Sequence, residues 1–119
     1  MISALIEDKV LALLARDREF GSSTIPYLSE DMFARPHHKE FFKLLKYFYD
    51  NYGSPPSLEL LTHEAKKVLG ALAPELIRQV GEFAFSVYNS NDMHAERYIK
   101  DEISNFVRVA AMRAVIARS

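Results

Sequence analysis

The sequence predicts an all-α fold, a compact helical bundle of about five to six helices that ends in a long C-terminal helix. Hydrophobic residues, 49% of the chain, recur at helical spacing through most of the 119 residues. No segment alternates apolar and polar residues between turn signals, so no strand is predicted. The length suits one domain. Within it we expect a globular helical head over residues 1–88 and the long helix over residues 89–119.

The most strongly patterned segment lies between Phe33 and Tyr52. Its large apolar residues follow the i, i+3, i+4, i+7 spacing of a helix with one buried face, and its lysines fall on the other side. Pro36 suits the first helical turn, and Gly53, followed by two prolines, predicts the end. We expect this helix to be the centre of the core, with an inner face made by His38, Phe41, Phe42, Leu45, Phe48, Tyr49 and Tyr52.

The segments before this helix are shorter. Ser3 is the predicted cap of a first helix, and residues 16–23 are predicted to be a loop because Gly21 and two serines interrupt the pattern. A short helix or turn with Ile25, Leu28 and Phe33 as apolar anchors should follow. The inner face of the first helix is predicted to comprise Leu5, Ile6, Val10, Leu13 and Leu14.

Two helices are predicted after the double proline. Ser57 is the expected cap of the first, which should stop at Gly70, and Pro74 opens the second. Gly81 lies inside the second helix, where we expect it to permit a close helix crossing. The inward residues of the first are predicted to be Leu58, Leu61, Ala65, Val68 and Leu69.

The last helix should begin at Asp92 and run to the end without proline or glycine. Between Phe106 and Ala117 only two arginines interrupt the apolar residues, and a helix that is apolar on nearly every side must be surrounded. We therefore expect self-association, most simply as an isologous two-fold pair. The predicted contact residues are Phe106, Val109, Met112, Val115 and Ile116. In the alternative, this helix folds back on Leu5, Val10 and Leu13 and leaves a monomer.

Charge and composition narrow the classes of partner. The chain has 15 basic and 16 acidic residues, a net charge of −1, so direct tight DNA binding is not expected. The absence of cysteine excludes disulfides and thiolate metal sites. No apolar run approaches the roughly 20 residues of a membrane span, and the N-terminus is unlike a signal peptide. We expect a soluble cytoplasmic protein with no membrane partner.

No pattern of catalytic or metal-binding residues emerges. The glycines fit neither a P-loop nor a dinucleotide fingerprint, and the four histidines lack the H-E-x-x-H spacing of a zinc site. The acids lie near helix starts, where the helix dipole and capping explain Glu7 and Asp8. The aromatic residues of the central helix are more typical of a core than of a surface that stacks bases. We expect no catalysis, no metal and no cofactor in this chain.

Four segments together resemble the N-terminal domain of DnaB-family replicative helicases. The most specific is Phe33-x-Arg35-Pro36-x-His38-x-x-Phe41-Phe42-x-x-Leu45. The first helix, with Glu7-x-x-Val10-Leu11-Ala12-x-Leu14, is similar to the family's E-x-x-[VL]-L-G-x-[LM] opening. Two further segments resemble parts of the family: Ile25-x-x-Leu28, followed by acids and Phe33, and the turn Gly53-x-x-Pro56-Ser57-x-x-Leu60 after the central helix.

The long last helix resembles the first arm of the family's helical hairpin. Ala12 departs from the family's glycine, and the turn from Asn51 to Ser57 looks more like phage helicases than bacterial ones.

The resemblance implies a non-catalytic assembly and partner-docking domain of a hexameric replicative helicase, within the primosome. It implies a dimer in isolation and a hexamer in the parent, with primase, the helicase loader or both as partners. ATP and Mg²⁺ would then bind a C-terminal ATPase domain that this sequence lacks. The alternative is a free-standing helical adaptor or regulatory protein that acts by protein–protein contact.

Overall fold

The structure, a computed structural model, describes residues 2–70, 73–89 and 95–118, and the side chains of the last helix as far as Arg113. Within these ranges the chain is all-helical, as predicted, with six α-helices, two 3₁₀ turns and no strand. None of the described helices combines the length and apolar character that a membrane crossing requires. The α-helices are α1 (Glu7–Arg16), α2 (Arg18–Thr24), α3 (Pro36–Tyr52), α4 (Leu58–Leu69), α5 (Pro74–Asn89) and α6 (Glu96–Arg118).

Three helices form the centre of the bundle. Helices α1, α3 and α5 contact one another pairwise, α4 covers α5 and α3, and α2 and α6 both lie against α1. The 3₁₀ turns Ile25–Tyr27 and Glu30–Met32 connect α2 to α3. Helix α3 therefore shares the centre with α1, whose Val10, Leu11 and Leu14 are fully buried. The predicted start of the last helix, Asp92, lies outside the described residues.

Both ends of α3 are where the sequence predicts them. Pro36 occupies the first turn, and Gly53 ends the helix with a left-handed φ of 69°, its N–H donating to the Tyr49 carbonyl. The predicted inner face is correct for His38, Phe41, Phe42, Leu45 and Tyr49, which are buried, but wrong for Phe48, which is half-buried outside the core, and for Tyr52, which is exposed. The Tyr52 ring lies on the surface against Tyr47 and Phe48.

The predicted loop over residues 16–23 is wrong, because Arg18–Thr24 forms the helix α2. The Asp17 carboxylate caps it by accepting a hydrogen bond of 3.0 Å from the Phe20 N–H. Gly21 does not break the helix. A Cβ at this position would lie 2.1 Å from Oη of Tyr49, so the glycine leaves room for that side chain. The Tyr49 hydroxyl in turn donates to the Leu14 carbonyl over 2.7 Å.

The N-terminal segment also differs from the prediction. Ser3 does not cap α1, because it lies in a turn that precedes Glu7: its carbonyl accepts from the Ile6 N–H and its Oγ from the Leu5 N–H. Leu5 is 82% exposed and is not part of the inner face. Leu11 is fully buried on that face instead.

Helix α4 is capped as predicted, with Oγ of Ser57 accepting from the Leu60 N–H over 3.3 Å, and it stops at Gly70. Val68 was expected to point inward but is exposed. Only Leu61 and Ala65 of this helix are fully buried. The close crossing expected at Gly81 is also wrong. A Cβ added at Gly81 would meet no described heavy atom within 4 Å.

Replacing Gly81 with alanine should stabilise the protein. Gly81 lies in the interior of α5 with open space around it, and alanine is favoured over glycine in helix interiors by about 1 kcal/mol. Thermal unfolding followed by circular dichroism should show a midpoint several degrees higher for Gly81→Ala. An unchanged or lower midpoint would mean that the glycine has a packing role.

Candidate functional site

The residues of the family-like signature lie at the centre of the molecule. Arg35 and Pro36 are exposed at the start of α3, and the other five side chains are buried. Phe33 packs against Phe42 with ring centroids 5.1 Å apart. The buried five are Phe33, His38, Phe41, Phe42 and Leu45. Most of the signature is therefore core, and only His38 brings a titratable group into it.

His38 binds the buried carboxylate of Glu7 across the α1–α3 contact. Its Nδ1 lies 2.7 Å from Oε1 of Glu7, and both side chains are almost completely buried. The Ala34 N–H donates to both carboxylate oxygens, at 3.1 and 3.2 Å, and the Arg35 N–H donates to Oε1 at 3.4 Å. These residues form the Glu7–His38 cluster, which joins the start of α1 to the N-terminus of α3.

The environment of Glu7 favours its ionised form. Burial alone would raise the pKa of the Glu7 carboxyl, but hydrogen bonds from His38, Ala34 and Arg35 outweigh it and hold the pKa below its usual value. The carboxylate also lies at the positive end of α3. The pKa of the neighbouring His37 is lowered by burial and by the nearby His38 and Arg35. The cluster thus holds one buried carboxylate that three hydrogen-bond donors stabilise.

This arrangement suits positioning rather than bond making. The His38 ring is enclosed by the rings of His37 and Phe83, at centroid distances of 4.4 and 4.6 Å. The imidazole is thus buried between a carboxylate and two aromatic rings. His38 is buried at the start of α3, on the inner face where the helical spacing predicts it.

The buried role of Glu7 was missed from the sequence, which attributed this acid to the helix dipole. A signal was present. Glu7 lies on the same helical stripe as Val10, Leu11 and Leu14, all fully buried. An acid on an otherwise apolar stripe predicts a buried carboxylate with partners from elsewhere in the fold.

The second candidate site is the outer half of α6. Ile99 and Ile103 are buried and α6 contacts α1, but burial decreases toward the C-terminus. Phe106 is half-buried, Val109 is 40% exposed and Met112 is 59% exposed. The predicted contact residues Val115 and Ile116 have side chains outside the described part of the structure. The three described residues of the set thus leave apolar surface in solvent.

An open groove runs along this part of α6. It has a volume of about 520 Å³ and lies between the helix and Met32, in the second 3₁₀ turn. Its lining residues on α6 are Glu102, Asn105, Phe106, Val109, Ala110 and Arg113. We call this surface the α6 groove.

A further groove of about 360 Å³ lies where α3 meets α4. The rings of Tyr47, Phe48 and Tyr52 line one wall, and Pro55, Pro56 and Leu60 contribute to the rest. The rings contact one another at centroid distances of 5.4 to 6.2 Å, so they also pack as a surface cluster. Sequence reasoning placed Tyr52 in the core and did not predict this groove.

Among the described residues, no group of three or more histidine, cysteine, aspartate or glutamate side chains is placed to hold a metal ion. No protein-family model, curated protein or solved structure matches the chain. The resemblance to the helicase family therefore rests on the motif residues themselves.

Proposed function

We propose that the chain is the N-terminal assembly and partner-docking domain of a hexameric replicative DNA helicase, and that it acts through protein contacts without chemistry of its own. It would form dimers in isolation and part of a hexamer in the parent enzyme. Primase, the helicase loader or both would dock on it. ATP and Mg²⁺ would act in a separate ATPase domain of that parent.

The observation that carries this proposal is the meeting of two motif segments in one cluster. Glu7 belongs to the segment that is similar to the family's opening helix, and His38 belongs to the central signature. They lie 31 positions apart, and their side chains bind each other over 2.7 Å. Each segment thus supplies one partner of a buried contact between α1 and α3. The contact therefore supports reading the two segments as parts of one motif.

The surfaces support a contact function. The α6 groove and the exposed Val109 and Met112 offer apolar area of the kind that marks protein interaction sites. The titratable cluster at the core is occupied by internal hydrogen bonds. The adaptor alternative also acts by contact, and a P-loop motif encoded downstream of Ser119 would separate the two, because only the helicase reading requires it.

Isothermal titration calorimetry tests the docking function directly. The chain is titrated with the helicase-binding C-terminal region of the cognate primase and, separately, with the cognate loader. The proposal predicts saturable binding to at least one of them, at micromolar affinity or better, since transient docking contacts commonly fall in that range. An unrelated primase is the matched control and should give no binding. Failure of both cognate partners to bind would contradict the docking role.

A further inference from the structure

Four residues of α6 form one stripe along its surface. Glu102, Phe106, Val109 and Arg113 follow the spacing i, i+4, i+7, i+11, which places them on a single face of a helix. All four line the α6 groove. The stripe begins with an acid, continues with two apolar side chains and ends with a base. It spans three turns, or about 17 Å at 1.5 Å per residue.

The order of these residues makes the stripe complementary to itself. When two copies of α6 lie antiparallel, the acid at the start of one stripe meets the base at the end of the other. The same arrangement places Phe106 opposite Val109 in both halves of the pair. Asn105 then lies opposite Ala110, another residue that lines the groove. A two-fold axis between positions 107 and 108 generates every one of these pairings.

From this complementarity we infer that the occupant of the α6 groove is α6 of a second copy, packed antiparallel, with Glu102 of each chain facing Arg113 of the other. The inference rests on the proposed function, because it deepens the self-association expected there by fixing the register and direction of the pair. The contact is an isologous one, so each ion pair and each Phe106–Val109 contact occurs twice.

The charges decide the direction of packing. A parallel pair would set Glu102 against Glu102 and Arg113 against Arg113, and like charges at close range oppose association. Both side chains are exposed, and among the described residues neither forms an ion pair within its own molecule. They are therefore available to a second copy. Asn105 accepts a hydrogen bond of 2.7 Å from Nη2 of Arg108, which holds that arginine at the edge of the stripe.

The size of the contact sets its strength. Three helical turns from each copy bury less than the roughly 1,200 to 2,000 Å² of a standard stable interface. We expect a reversible dimer with a dissociation constant in the micromolar range or weaker. Its ion pairs lie at the rim, so they determine register more than affinity.

A charge-swap experiment measured by sedimentation equilibrium tests the register. Glu102→Arg and Arg113→Glu, made singly, should each weaken the dimer about tenfold, since two attractive pairs become repulsive in each variant. The double variant restores both pairs with reversed polarity and should associate within about threefold of the wild type. The single effects should shrink in high salt. Asp101→Arg and Arg97→Glu are matched charge reversals outside the groove lining and should change little.

Disulfide cross-linking supplies a second readout, because the chain has no cysteine of its own. An Asn105→Cys chain mixed with an Ala110→Cys chain should oxidise mainly to the mixed disulfide. Predominant disulfides between like chains would mean a parallel pair and would overturn the inference. A dimer whose affinity the single charge reversals leave unchanged, or the double variant fails to restore, would also overturn the register and leave the proposed self-association standing. A monomeric wild type would overturn both.

Discussion

Replacing Glu7 with alanine should lower the free energy of unfolding by about 3 kcal/mol or more, because hydrogen bonds to a charged group contribute about 1.5 to 3 kcal/mol each and this carboxylate accepts from three donors. The substitution removes the acceptor for the part-buried N–H groups of Ala34 and Arg35 and for the buried Nδ1 of His38. Urea unfolding followed by circular dichroism measures the change. Asp8→Ala, at the exposed neighbouring position, is the control and should cost less than about 1 kcal/mol. Equal stabilities for the two variants would contradict a structural role for the cluster.

The same carboxylate should make stability depend on pH. The pKa of Glu7 in the folded protein lies below its ordinary value of 4.5, so its contribution is fully present above that pH. It is lost as the pH falls through the lower folded pKa, because the unfolded chain then binds the proton more readily. Hydrogen bonds to Lys100 and Arg78 also lower the pKa values of Asp17 and Glu75, so these two acids add to the loss of stability at low pH. Glu7→Gln should make the free energy of unfolding depend less steeply on pH in the acid range. An unchanged dependence would contradict the assignment of part of this loss to Glu7.

Replacing Gly21 with alanine should destabilise the protein by about 3 kcal/mol, although alanine favours helices. The new Cβ would meet Oη of Tyr49 at 2.1 Å and the Leu14 carbonyl at 3.0 Å. Tyr49 is buried, so its ring cannot swing into solvent without losing the 2.7 Å hydrogen bond to Leu14. Burial raises the pKa of the Tyr49 hydroxyl to about 12, so this donor keeps its proton at neutral pH.

Gly81→Ala is the matched control, because the same substitution there meets open space and should stabilise the protein. A double variant locates the clash. In a Tyr49→Phe background the nearest atom is gone, so the cost of Gly21→Ala should be smaller than in the wild type. If Gly21→Ala raised the unfolding midpoint as Gly81→Ala does, the close packing of α2 against α3 would be wrong.

The helices with local start and stop signals were predictable from sequence. Pro36 and Gly53 bound α3, and Ser57 and Gly70 bound α4, at the predicted positions. Their signals act within one turn of the chain, so no knowledge of the fold is needed. The prediction of a loop in place of α2 was wrong because the relevant signal is not local. In the sequence Gly21 looks like a residue that interrupts a helix. In the structure it is a helical residue that leaves room for the side chain of Tyr49, 28 positions further along the chain.

For the candidate sites, too, the sequence predicts what depends on local pattern and not which distant residues meet. The buried core around Phe41 and Leu45 follows from helical periodicity, and the exposed apolar surface at Val109 and Met112 follows from the excess of apolar residues in α6. The Glu7–His38 contact does not follow, because periodicity reports which face is buried and not what lies opposite it. The sequence spacing already places Glu102 and Arg113 on one face of α6, but the open groove between that face and Met32 depends on tertiary packing, which the spacing does not report.

Sedimentation equilibrium of the wild type beside a Val109→Asp, Met112→Asp double variant tests most directly the claim that the protein acts through contacts on α6. Val68→Asp with Phe85→Asp is the control, since these residues are also apolar and exposed but lie on α4 and α5. We expect the wild type and the control to associate reversibly and the α6 variant to be a folded monomer with an unchanged circular dichroism spectrum. A wild type that stays monomeric at every concentration, or an α6 variant that unfolds, would contradict the account.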